Sequence, residues 1–84
     1  MISSNAPYDL IFANILARPL IALAGSLSDA LVSGGALILS GFTRDQARSV
    51  IASYRMHGLI PVDGIRHDDW VAIMLLNPKK SNTR

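Results

Sequence analysis

The sequence has no cysteine and no glutamate, and few of its residues are charged. The lack of cysteine excludes a disulfide framework and any metal site built on thiolates. No apolar run approaches the 18 residues that a membrane-spanning helix requires, and residues 1–7 do not form a signal-peptide pattern. These absences predict a cytoplasmic protein with no membrane partner.

The charge distribution gives no sign of a nucleic-acid surface. The net charge is +2, and three of the eight basic residues, Lys79, Lys80 and Arg84, lie in the last six positions. Charged residues make up 17% of the chain and hydrophobic residues 50%, whereas soluble domains are about 25% charged. This composition predicts that some apolar surface is covered by another segment or another chain.

The hydrophobic pattern predicts alternating strands and helices. Residues 8–16, 36–40 and 70–76 are short apolar runs typical of buried strands, and residues 59–66, which contain Pro61 and Gly64, suit an edge strand. Pro19 opens a leucine-rich helix of about four turns that Ser33-Gly34-Gly35 should end. A second helix begins at Thr43, which has capping-box spacing with Gln46.

The resulting order, β-α-β-α-β-β, indicates an α/β fold with a parallel sheet and an antiparallel last strand. Residues 1–7 are expected to be a flexible N-terminus, residues 8–78 the folded unit, and residues 79–84 a disordered basic tail.

Asn14 is the most informative polar residue, because asparagine is disfavoured inside strands. Ligands of open α/β sheets bind beyond the carboxyl ends of the strands, and an amide placed there can orient a polar ligand. The alternative is a purely structural role, in which Asn14 caps the following helix or forms hydrogen bonds with backbone groups at the turn. The residues alone leave both interpretations open.

The other candidates carry weaker signals. His57 and His67 lack paired spacing, and the aspartates at 68–69 suit a solvated turn better than a metal site. Ser40 has no nucleophile motif around it. Trp70 is expected in the core. No metal site and no catalytic residue are assigned.

Four segments, in order, resemble the PrmA-type ribosomal protein methyltransferases. Residues 8–17 resemble the family's "YDLIxANIL" segment, and residues 33–41 resemble its "pGGxLILSGI" strand. Residues 46–47 within the helix at 43–54, followed by residues 58–59, resemble the next helix and turn, and residues 69–72 resemble the final "xxWVAL" strand. Each segment alone is weak, but their order is specific.

The resemblance implies part of a doubly wound, Rossmann-like class I methyltransferase sheet. The implied cofactor is S-adenosylmethionine, contacted by Asn14, Ile15 and Leu16, and the implied methyl acceptor is an amine of a large-subunit ribosomal protein. The family's first strands, with their Gly-rich cofactor loop and acidic ribose-binding residue, have no counterpart here.

The chain is therefore expected to be the C-terminal half of such a domain. It should be inactive alone and should associate as a homodimer or with the missing N-terminal half. The alternative is a non-enzymatic α/β module that pairs with another chain through an exposed sheet edge.

Overall fold

A computed structural model describes residues 8–78 of the chain. The elements are β1 (Tyr8–Asn14), α1 (Ala17–Ala22), α2 (Ala24–Asp29), β2 (Leu31–Thr43), α3 (Arg44–Arg55), β3 (Ile60–His67) and β4 (Trp70–Leu76). This order confirms the predicted alternation, with two short helices in place of the first long one. The predictions for residues 1–7 and 79–84 lie outside the described residues.

The four strands form one mixed sheet in the order β1-β2-β4-β3. β1 and β2 are parallel, while β4 lies between β2 and β3 and runs antiparallel to both. The prediction of an antiparallel last strand is thereby confirmed. β3 lies at one edge with a register shift between Pro61 and Asp63, as its proline predicted. β1 forms the other edge.

The predicted four-turn helix is two helices separated at Leu23, whose backbone angles of φ −91° and ψ 3° leave the α-helical region. Gly25, two residues after Leu23, lowers the helix propensity of this segment. An added Cβ at Gly25 would lie 3.3 Å from the ring of His57, which follows α3, so α2 begins close to the C-terminal end of α3. The first helix begins at Ala17, so Pro19 is its third residue, where the missing N–H still costs no intrahelical bond.

The second strand is longer than residues 36–40, and Ser33-Gly34-Gly35 lies inside it instead of ending a helix. Backbone bonds to Asn77 extend the strand: Gly34 N–H donates to Asn77 O at 2.6 Å, and Asn77 N–H donates to Gly35 O at 2.8 Å. Gly34 has φ 87°, a conformation that glycine adopts without steric cost. Leu31, predicted on the helix, is the buried first residue of this strand.

One face of the sheet carries the core. Leu37, Leu39 and Leu75 are completely buried there under the three helices, and each contributes about 1.5–3 kcal/mol through burial. Side chains on the opposite face include Leu10, 57% exposed, and Phe12, 64% exposed. No helix within residues 8–78 covers that face.

Side-chain hydrogen bonds stabilise helix α3 at both of its ends. The Gln46 side-chain oxygen accepts a hydrogen bond from Thr43 N–H at 2.9 Å, which agrees with the predicted capping box. The Tyr54 hydroxyl, buried at the other end of α3, donates to Leu20 O in α1 at 2.6 Å. Burial raises the pKa of Tyr54 to about 12, because the phenolate would lose its hydration. This bond ties α1 to α3.

No helix between residues 8 and 78 is long and apolar enough to cross a membrane.

Candidate functional site

The carboxyl ends of β1 and β2 meet at one edge of the sheet. Asn14 is level with Ser40, and Ile15 N–H donates to Ser40 O at 3.2 Å. Gly41 follows with φ 97°, and a Cβ added to it would lie 2.5 Å from Ile15 O and 2.8 Å from Asn14 Oδ1. Only glycine allows so close an approach, so Gly41 fixes where Asn14 and Ile15 lie.

The Asn14 side chain is exposed, and it has no hydrogen-bond partner among residues 8–78. The N-cap of α1 is Leu16, and no side chain caps this helix. No hydrogen bond links the Asn14 amide to any other residue in the described part of the chain. The helix-capping interpretation is therefore wrong, and the amide is available to a ligand.

Two cavities adjoin each other at Asn14 and Ile15. The edge cavity, about 540 Å³, lies beside the outer edge of β1 and is bounded by Leu23 and Leu27. The hairpin cavity, about 590 Å³, lies between the ends of β1 and β2 and the β3–β4 hairpin. Both volumes fall in the range of small-molecule sites, about 300–1,000 Å³. Asn14 and Ile15 therefore line both cavities.

The residues predicted to contact a cofactor lie together at this junction. Asn14, Ile15 and Leu16 all line the hairpin cavity. Ile15 is 37% exposed and Leu16 is 69% exposed, so two aliphatic side chains stand open to solvent beside an unpaired amide. This combination of apolar wall and amide is suited to a ligand with both apolar and polar parts.

Trp70 is a residue that the sequence interpretation missed. It was expected in the core, but it is 55% exposed and lines the hairpin cavity with Ile65 and His67. Ile73 and Leu75 of β4 point into the core, and side chains alternate along a strand. Trp70 therefore shares the uncovered face with Ala72. The strand is apolar throughout, so its sequence carries no signal of which face is buried.

The remaining candidates do not assemble into a site. His67 lies 3.7 Å from Asp68, with both side chains almost fully exposed, and His57 packs near Gly25. Within residues 8–78 there is no group of three or more histidine or acidic side chains that could hold a metal ion. Ser40 contributes its backbone oxygen to Ile15, and nothing in its surroundings resembles a nucleophile's base.

Comparison with known proteins identifies the family of this arrangement. The family model described as "Ribosomal protein L11 methyltransferase (PrmA)" matches residues 1–78. The chain is 53% identical over 78 residues to the ribosomal protein L11 methyltransferase of Caulobacter sp. (strain K31), covering 93% of this chain and 27% of that protein. It is 47% identical over 72 residues to the protein of the same name from Brucella suis (strain ATCC 23445 / NCTC 10510), covering 86% and 25%. The chain thus spans about a quarter of the length of these relatives.

Solved structures confirm the fold. The ribosomal protein L11 methylase of Lactobacillus delbrueckii subsp. bulgaricus superimposes with a TM-score of 0.83 at 25% identity, over 90% of this chain and 40% of that one. The N-methyltransferase NodS of Bradyrhizobium japonicum WM9, solved in complex with S-adenosyl-L-homocysteine, superimposes with a TM-score of 0.67 at 18% identity, over 93% and 50%. The sheet is therefore a portion of the Rossmann-like methyltransferase fold, and the chain belongs to the PrmA family of ribosomal protein L11 methyltransferases.

Proposed function

We propose that this chain supplies one wall of the active site of an S-adenosylmethionine-dependent methyltransferase that acts in the cytoplasm on an amine of ribosomal protein L11. The observation that carries the proposal is the unpaired, exposed amide of Asn14 at the carboxyl end of β1, between two cavities. Family membership supports the reaction type, because the relatives are named for it.

The residues present fit part of S-adenosylmethionine. The Asn14 amide offers two donors and one acceptor to a polar group, and Ile15 and Leu16 offer exposed aliphatic surface to an apolar one. Gly41 lets Asn14 and Ile15 keep their positions beside the end of β2, since a side chain at position 41 would displace them. The Gly-rich loop and the acidic ribose partner would come from a segment outside these 84 residues.

When bound, the cofactor would supply a methyl group on a positively charged sulfur: a neutral amine nitrogen would bond to the methyl carbon as the carbon–sulfur bond breaks, leaving a neutral thioether and a positively charged nitrogen. The residues of this chain contribute by position. Asn14 orients polar groups at the junction. Once ligands and the rest of the enzyme cover Ile15 and Leu16, these apolar side chains exclude water, which favours the uncharged form of the amine. No side chain needs to form a covalent bond.

The uncovered side of the sheet supports a second proposal, that the chain works in association. β1 is an edge strand without lysine or proline, and an edge of this kind is a template for pairing with another strand. Leu10 and Phe12 leave an apolar face beside that edge. Its partner would be the other half of a methyltransferase domain or a second copy of this chain. A purely structural module with the same edge is the competing function.

The test uses a hybrid methyltransferase, in which this chain replaces the matching segment of the Caulobacter relative. We expect the hybrid to methylate purified ribosomal protein L11 with labelled S-adenosylmethionine. Asn14→Ala should lower kcat at saturating cofactor by about 100-fold, as expected when a positioning group is lost. Asn14→Asp, which keeps the shape but not the amide donors, should also be slow.

Asn77→Ala is the matched control. The Asn77 amide donates to Val32 O at 3.0 Å, remote from both cavities, so this variant should lose stability and retain kcat. Wild-type turnover by Asn14→Ala would contradict the proposed role of Asn14. A correctly folded hybrid that methylates nothing would favour the structural module.

A further inference from the structure

An aspartate followed by a glycine lies in the edge strand β3. Gly64 N–H donates a hydrogen bond at 2.8 Å to Asp63 Oδ1, in the carboxyl group of the residue directly before it. The carboxyl carbon, Cγ, is one bond beyond this oxygen. The backbone nitrogen of Gly64 is therefore held beside the carbon that it would attack to close a ring with the Asp63 side chain. Reacting atoms held close in this way need little further movement to react.

The surroundings of this pair leave it open to reaction. Asp63 and Gly64 are both exposed, so water can reach them. Among the strands within residues 8–78, β3 pairs only with β4, which leaves the outer side of β3 without a neighbour. The pairing is also irregular here, since the register shifts between Pro61 and Asp63. A local change in the backbone at such an irregularity disturbs fewer hydrogen bonds than it would in a regular, central strand.

Gly64 lacks the steric barrier that other residues would present. Glycine has no Cβ and the least restricted backbone of all residues, so its nitrogen can approach the carboxyl group of the preceding side chain. The nearest atom to an added Cβ at Gly64 would be Ala72 O at 3.5 Å, an ordinary contact distance. An alanine at this position therefore fits the folded chain while it shields the nitrogen.

We propose that Asp63-Gly64 is a site of spontaneous isomerisation to isoaspartate in the folded chain. Gly64 N bonds to Asp63 Cγ, and the carboxyl group loses a hydroxyl that leaves as water together with the amide proton. Water then adds to the main-chain carbonyl carbon of the cyclic imide and breaks the bond from this carbon to the nitrogen. The main chain afterwards runs through Cβ and Cγ, the former main-chain carbonyl is a free carboxylate, and the mass of the chain is unchanged.

The product would change the β3–β4 hairpin. Its main chain is longer by one carbon atom at residue 63, beside residues 64–67, which pair with β4. Ile65 and His67 line the hairpin cavity. Side chains of a strand keep their positions only while the strand keeps its register, so the added atom should displace this wall of the cavity. Trp70, the single tryptophan of the chain, pairs with His67, so a shift of its fluorescence emission should accompany the conversion.

The test follows isomerisation in the full chain of 84 residues at neutral pH and physiological temperature. Electron-transfer fragmentation of the digested chain distinguishes isoaspartate from aspartate at each position, although their masses are equal. The native chain, checked by circular dichroism, is compared with the same chain in urea. Because the fold holds the nitrogen against the carboxyl group, we expect isoaspartate at residue 63 to form about threefold faster in the native chain. A native rate equal to or below the rate in urea would overturn the proposal.

Other aspartates of the same chain are internal controls. The backbone nitrogen that follows Asp29 donates to Ser26 O at 3.1 Å, so it is engaged in a helical hydrogen bond. Asp68 lies in the exposed turn between β3 and β4 and precedes Asp69 instead of a glycine. We expect isoaspartate at residue 63 to accumulate well before it does at either control. Equal accumulation in the turn would show that exposure alone controls the reaction, and would overturn the role given to the hydrogen bond between the reacting groups.

Three variants separate the reaction from the stability of the fold. Gly64→Ala should fold like the wild type and form isoaspartate about tenfold more slowly, because the added Cβ hinders the nitrogen. Gly58→Ala, the same substitution outside β3, should leave the rate at residue 63 unchanged. Asp63→Asn should lose ammonia in the same ring closure and gain mass as the amide becomes an acid. An unchanged rate in Gly64→Ala would overturn the assignment of Gly64 N as the attacking atom.

Discussion

Replacing Gly41 with alanine tests the geometry on which the site depends. The new methyl group would be placed 2.5 Å from Ile15 O and 2.8 Å from Asn14 Oδ1, at a backbone φ of 97°. The left-handed conformation alone costs a non-glycine residue about 1–2 kcal/mol. Relieving the contact requires the β1 end to move, which adds about 1–3 kcal/mol, as in other overpacked sites.

Two other glycines supply matched controls. Gly58 has φ 88° but open space around its added Cβ, so Gly58→Ala should show the conformational cost without the clash. Gly64 has no positive φ, and its nearest neighbour would be 3.5 Å away, so Gly64→Ala should be close to neutral. The expected order of destabilisation is Gly41→Ala, then Gly58→Ala, then Gly64→Ala.

The assay is urea unfolding of the three variants, followed by far-ultraviolet circular dichroism at one protein concentration. The difference between the Gly41 and Gly58 variants isolates the contact with Asn14 and Ile15. A free energy of unfolding for Gly41→Ala equal to that of Gly58→Ala would refute the close approach of the two strand ends. In that case Gly41 would not be the residue that positions Asn14.

Three further predictions concern the stability of the core, the oligomeric state of the chain and its binding of the cofactor. Tyr54→Phe should destabilise the fold by about 1–2 kcal/mol, because the donor to Leu20 O is lost; urea titration measures this. Burial raises the pKa of Tyr54 from 10.0 to about 12. The contribution of Tyr54 to the free energy of unfolding is therefore complete below pH 10 and declines as the pH rises through 12. The phenylalanine variant should lack this decline. We expect the wild-type chain to sediment at tens of micromolar as a dimer or larger species, and Phe12→Lys to shift it towards monomer while Val62→Lys on the opposite edge strand does not; a wild-type monomer would contradict this. Calorimetry of the isolated chain should detect no tight binding of S-adenosylmethionine, and micromolar affinity would show that the chain needs no further cofactor loop.

Local patterns were sufficient for much of the fold. Thr43 and Gln46 predicted the start of α3, because a capping box involves residues only three apart. Pro61 and Gly64 predicted an edge strand, since each weakens a central one. Asn14 was correctly placed at the end of a strand.

Two features that depend on contacts between distant parts of the chain could not be predicted from the sequence. The break at Leu23 depends on how α1 and α2 pack against α3, including the approach of His57 to Gly25. The extension of β2 depends on bonds from Gly34 and Gly35 to Asn77, which lies more than forty positions away in the chain.

The sequence by itself therefore determined the order of the helices and strands, the position of Asn14 at the end of a strand and, through resemblance, the family. Tertiary structure alone decided that the Asn14 amide is unpaired, that Gly41 packs against it, and that Trp70 faces a cavity instead of the core. The physical reason is that β4 is apolar on both faces, so only its pairing with β2 and β3, and the placing of all three helices on one side, determines which side chains remain exposed.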